Sequence, residues 1–195
     1  TGQFKQALRK LLDEGATDER ILKASQDYVR EVIAHEVGHT LGLRHNFAGS
    51  LHANYAVSEL EGHLRSYFEN GRTPAGVEPS SSVMEYQLFE ESILTGDTMT
   101  RAEDAPMDYD LQAIQYLYQG VEPEAGSEPL FCTDTANAEF VDCLVFDRGR
   151  SPFESYDSQL GILNDWLATT VDVDGTAVPQ VYLLPTSTAV ATILQ

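Results

Sequence analysis

The chain has 195 residues, 42% of them apolar, enough to bury a core as one domain or as a catalytic unit with an appendage, and its composition is not that of a disordered protein. Acidic residues outnumber basic ones by 31 to 12, and the net charge of −19 repels phosphate backbones and anionic lipid heads, which argues against nucleic acid as a partner. The acid reads as a solvated surface before it reads as a binding patch for cationic substrates. No stretch approaches the eighteen or so apolar residues of a membrane span, and no signal-peptide pattern opens the chain. Thr1, in place of a methionine, suggests a processed protein or a piece of a longer precursor, with any targeting segment upstream.

Residues 3–13 set Phe4, Ala7, Leu8, Leu11 and Leu12 at helical spacing, with Gly15 as a stop. From Thr17, an N-cap followed by Asp18 and Glu19, the pattern Ile21, Leu22, Tyr28, Val29, Val32, Ile33, Val37, Leu41 runs to Gly42, as one long helix or as two broken near Ser25. Residues 46–57 read as loop, 58–70 as a helix closed by Gly71, and 72–82 as irregular. Asp110 begins another helix to Gln119, in which Leu111, Ile114, Leu117 and Tyr118 share a face and Gly120 is the stop. The Pro, Gly and acid of 120–129 mark a linker. Beyond it lie a cysteine segment, a helix near 154–168 and a hairpin pattern around Asp174 and Gly175.

Cys132 and Cys143 stand eleven positions apart among turn residues. A local disulfide is the preferred reading; two free buried thiols are the alternative, and a zinc site is disfavoured because neither C-x-x-C spacing nor a nearby histidine accompanies the pair.

The segment HEVGHTLGLRH carries the chemistry. His35 and His39, four apart, project from one helix face and can reach one metal ion. Glu36 lies where its carboxylate serves as general base toward a metal-activated water without ligating the metal. Gly42 can take the left-handed conformation that ends the helix, so that His45 swings back as third ligand. Three imidazoles leave a coordination position open, as in a catalytic zinc site, and neutral nitrogen ligands favour Zn2+. A bare H-E-x-x-H recurs by chance, but the extended motif fixes five positions on an amphipathic helix. His52 and His63 match nothing in it and read as loop and helix surface.

With this motif the sequence resembles the metzincin zinc peptidases, in which a methionine turn follows the three histidines. SSVMEYQ supplies the match, which makes Met84 a packing floor beneath the histidines and not a ligand. Tyr86 falls where, in the astacin and serralysin branches, a tyrosine approaches the zinc and helps stabilise the tetrahedral intermediate; plain packing is the other reading. DLQAIQYLYQG resembles the C-terminal helix of serralysins and matrix metalloproteases, through Asp110, Ala113, Ile114, Gln115 and Tyr118. Over about residues 17–150 the chain is most similar to large bacterial zinc-dependent metalloproteases of the methionine-zincin group, FCTD and a later cysteine included.

The resemblance implies an α+β zincin-like catalytic unit, mainly α in this chain, with the metzincin lower subdomain in residues 1–120 and an accessory segment in 121–195. The 34 residues before His35 look helical and cannot supply the family's N-terminal sheet, so that subdomain is expected to be missing here. The function implied is a zinc-dependent endopeptidase acting on protein or peptide substrates, exported to the periplasm or the extracellular space. A zinc-binding scaffold without hydrolytic activity is the alternative, and another hydrolase using the same water activation is a third. Apolar faces left open by the missing half are expected to self-associate or to dock with it.

Overall fold

Thr17 starts the longest helix of the computed structural model, which describes residues 16–101, 107–156 and 160. The chain forms two units, residues 1–158 and 159–195, and every complete helix among the described residues lies in the first. The helix expected over 3–13 and the hairpin near Asp174 lie outside the described residues, as does most of the helix expected over 154–168, of which 152–156 and 160 are helical.

Helix α1, Asp18–Thr40, is capped by Thr17, whose Oγ1 accepts from the Arg20 amide (3.4 Å), with Asp18 and Glu19 against the positive end of the helix dipole. It runs without a break at Ser25, whose hydroxyl donates to the Ile21 carbonyl (2.8 Å) and so has a partner inside the helix. Its buried face is the stripe Ala24, Asp27, Glu31, His35 and Gly38. The apolar residues that mark it as a helix, Leu22, Val29, Val32, Ile33 and Val37, are instead 37–60% exposed. A polar stripe can be buried here because its groups are paired. Asp27 accepts from Lys23 Nζ (2.6 Å), the Tyr67 hydroxyl (2.5 Å) and the Arg30 guanidinium, while Lys23 also donates to Asp97 (2.6 Å). Glu31 bonds Ser92, and burial pushes its carboxyl up to about 8, which keeps it largely protonated at neutral pH.

Two 3-10 turns, Ser50–His52 and Val57–Glu59, lead into α2, Leu60–Asn70, which ends at Gly71 in the left-handed region (φ 71°). The irregular stretch after it is tied down by Thr73, whose amide and hydroxyl donate to Asp97 (2.7 Å) and to the Leu94 carbonyl (3.0 Å). Helix α3, Phe89–Thr98, has no counterpart in the periodicity: nine of its ten residues are buried, so no polar face marks it. It packs against α1, with Gly96 at the crossing, where a Cβ would meet the Asp27 backbone. The main apolar cluster joins Ala24, Tyr55, Leu60, Tyr67, Val77, Phe89, Ile93 and Leu94.

Helix α4, Asp108–Gln119, begins two residues earlier than expected and stops at Gly120 (φ 68°). Its expected apolar face is largely open: Leu111, Leu117 and Tyr118 are more than half exposed, while Ala113 and Ile114 pack on a second cluster of Leu43, Val83, Met84 and Met107. Among the described residues there is no β-strand. Cys132 and Cys143 form a disulfide and pack with Phe47 and Ala48.

Candidate metal centre

The last turns of α1 present His35 and His39 on one side. The helix then closes by Leu41, Gly42 and Leu43 amides donating to the Val37, His39 and Gly38 carbonyls (3.0 Å each), with Gly42 at φ 95°. That positive φ, which a residue without Cβ adopts freely, reverses the chain and returns His45 to the histidine pair. One ligand atom from each of the three rings lies within 4.8 Å of the others.

Each ring has its Nδ1 engaged by an acceptor: the Val83 carbonyl for His35 (2.7 Å), the Leu43 carbonyl for His39 (3.0 Å) and Asp134 Oδ1 for His45 (3.0 Å). None of these acceptors has a hydrogen to donate, so in the neutral ring, the form that binds a metal, each Nδ1 holds the proton and each Nε2 is left as a lone pair. The His39 and His45 Nε2 atoms face each other at 3.2 Å. Two lone pairs at that distance repel unless a cation lies between them, and nitrogens of a tetrahedral zinc with bonds of about 2.0–2.1 Å stand about 3.3 Å apart. The donor set thus fits a metal ion, and neutral imidazoles suit zinc. Burial, aided by the neighbouring His39 and His45 and opposed by the Val83 carbonyl and Glu36, holds His35 below its ordinary value and favours the neutral ring that a metal needs.

Met84 is fully buried against Gly38, which lies between His35 and His39 on α1, and clusters with Leu43; a Cβ on Gly38 would collide with its sulfur. Its turn is held by Asp110, which accepts from the Ser82 hydroxyl (2.6 Å) and the Val83 amide (2.7 Å), and the Met84 carbonyl accepts from the Asn46 amide (3.0 Å). The same turn supplies the carbonyl that orients His35, so Met84 and the first ligand share one support.

Tyr86 belongs to an aromatic group beside the three histidines, its ring centroid 4.4 Å from that of His45, 5.6 Å from His35 and 5.2 Å from Phe146. Burial and the charges of Asp134 and Glu36 raise its phenol, which keeps the hydroxyl a donor. Glu36 is exposed at the helix surface next to His35. The structure therefore brings His35, His39, His45, Met84 and Tyr86 together with Glu36 at the edge. His52 and His63 stand outside the cluster, with His63 half-buried and edge-on to Tyr55 (4.8 Å) instead of on the helix surface.

Two features were missed in the sequence. Asp134, 89 positions beyond His45, orients it; the hydrogen bond from His45 lowers its carboxyl. Glu85 is buried behind the methionine turn, accepting from the Ser50 (3.2 Å) and Tyr86 (3.1 Å) amides, while the Ser50 hydroxyl donates to buried Asp147 (3.0 Å). Burial and the Asp147 charge push Glu85 well above the usual carboxylate range. Only the acid beside Met84 hinted at Glu85, and Asp134, though the last residue of the FCTD run, carried no sign there of a partnership with His45.

A family model described as Met-zincin matches residues 17–131, more than half of the chain and every group of the site except Phe146, Asp134 and Asp147. No curated protein and no solved structure matches it.

Proposed function

The chain belongs to the Met-zincin family, and from that premise we propose that it is a zinc-dependent endopeptidase with His35, His39 and His45 as ligands through Nε2. The observation that carries this reading is the commitment of all three Nδ1 atoms to acceptors, which leaves three lone pairs converging. When bound, zinc supplies Lewis-acid polarisation of the scissile carbonyl and lowers the pKa of water.

The chain's own residues do the rest. The Glu36 carboxylate takes the proton of the attacking water and returns it to the departing amine nitrogen. The Tyr86 hydroxyl donates to the carbonyl oxygen as negative charge builds there, and its ring beside those of His35 and His45 supports that role. The Val83 and Leu43 carbonyls keep the His35 and His39 imidazoles from turning.

We also propose that residues 1–120 form the lower half of an α+β metzincin unit and 121–195 its accessory segment. The open apolar stripe of α1 supports docking of that half with a sheet-bearing subdomain or, failing that, self-association. An extended substrate needs an edge strand, and with none among the described residues weak peptide cleavage by this chain alone is expected. The disulfide supports export, and no described helix is long and apolar enough to cross a membrane.

Zinc titration followed by a peptide-digest assay on the wild type and on Glu36→Gln tests the enzyme reading. Zinc bound by both, with turnover lost at least about 100-fold in the variant, is the expected outcome. Equal turnover in the two would refute the assignment of Glu36.

A further inference from the structure

The three ligands are not supported alike. His35 and His39 lie within α1, and their Nδ1 atoms meet carbonyls of nearby backbone, at Val83 and Leu43. His45 lies beyond the helix end, where no helical hydrogen bond fixes its backbone, and its Nδ1 meets a side chain, that of Asp134. We propose that Asp134 is a positioning residue for the third ligand, which makes the disulfide-closed segment 132–143 a working part of the metal centre.

Both ends of the contact are held. Asp134 Oδ1 takes the His45 bond, while Oδ2 accepts from the Thr133 hydroxyl (3.4 Å) and Arg44 (3.5 Å), so the carboxylate cannot rotate without losing partners. Its backbone follows Cys132, which is stitched to the segment just after His45. The Phe47 amide donates to the Cys132 carbonyl (2.6 Å), the Cys132 amide to Asn46 Oδ1 (3.1 Å), and Asn46 Nδ2 to the Leu130 carbonyl (3.1 Å). Asn46 is fully buried, so these bonds are shielded from water. The disulfide loop, anchored at its buried ends Cys132 and Cys143, therefore arrives at His45 in one register, with Asp134 facing the nitrogen opposite the ligand atom. A carboxylate there fixes the tautomer as a carbonyl does and also strengthens the ring as a donor through its charge.

This inference rests on the zinc reading of the site, and the test separates the two. Zinc affinity of the 195-residue chain is measured by chelator competition for the wild type, Asp134→Ala and Asp134→Asn, with cobalt-substituted visible spectra and metal-free melting alongside. The Asp134 side chain is 48% exposed, so Asp134→Ala is expected to melt like the wild type without metal. Its zinc affinity is expected to fall about 10-fold, the lower end of the range for outer-shell partners, with the cobalt bands shifted. Asp134→Asn keeps an acceptor oxygen and should recover much of the affinity and the spectrum. Zinc bound tightly by the wild type and within twofold as tightly by Asp134→Ala overturns the inference alone. So does an affinity loss that Asp134→Asn leaves unrescued and that metal-free melting follows in parallel, since that would be a folding effect. Absence of zinc binding by the wild type overturns the zinc reading and this inference together.

Discussion

Gly96→Ala tests whether the crossing of α1 and α3 depends on backbone touching backbone. In an open helix this change stabilises by about 1 kcal/mol, because glycine has more conformational freedom to lose. Here the added methyl would lie 2.6 Å from the Asp27 carbonyl carbon and nearer still to its oxygen. Neither atom can rotate away, so the helices must part by roughly 1 Å, loosening a contact at which nine of the ten α3 residues are buried. The parting also strains the Arg30 bond to the Gly96 carbonyl (2.9 Å) and the Lys23 link from Asp27 to Asp97. Overpacking of this kind costs about 1–3 kcal/mol, and with the network a net loss of about 2–3 kcal/mol is expected. For a chain of this size that lowers Tm by about 5–10 °C, read by calorimetry or circular dichroism without metal. Asp27 lies about 12 Å along the helix from His35, so zinc affinity of the folded protein should be unchanged. A Tm equal to or above the wild type would refute the close crossing.

Tyr86→Phe removes one hydroxyl and keeps the ring against His45 and Phe146. Turnover should fall about 100-fold or more at unchanged zinc affinity if the hydroxyl serves the developing oxyanion, and a loss under threefold would assign Tyr86 to packing. The metal-free chain should become more stable as pH falls from about 8.5 to about 6. Burial raises Glu31 to about 8, Glu91 and Asp147 to about 7 and Asp110 to about 6, from ordinary values of 4.5 for Glu and 3.8 for Asp. A carboxyl raised in the folded state holds its proton more tightly there, so its stabilisation is complete below its unfolded value and is lost as pH climbs through about 6 to 8. His35 is shifted down and acts oppositely, but only as pH drops through 6.5 and below. Urea midpoints measured in chelator at the two pH values check the sign, and a lower midpoint at the more acid pH would contradict it.

What the sequence reveals is what one residue or one fixed spacing decides. Thr17 caps α1, Gly71 and Gly120 end their helices, and the spacing of His35, His39, Gly42 and His45 sets the histidine cluster once the helix exists. What it hides is settled by partners far along the chain. The charge of Asp27 is met inside α1 by Lys23 and Arg30 at helical spacing, but the Tyr67 hydroxyl that completes its burial comes from 40 positions away, and Lys23 is shared with Asp97, 70 positions beyond Asp27; no periodicity in α1 carries those last two partners. α3 is hidden for a related reason: a helix buried on all sides loses the contrast between faces on which its detection depends. Apolar periodicity marks α1 and α4 as helices, but on neither does the apolar stripe coincide with the buried one. Burial on the α1 stripe is decided by paired polar groups, so apolarity and burial come apart there. The side of α1 rich in Val and Ile stays open in the described residues, which is why its periodicity is so plain in the sequence while its burial is not.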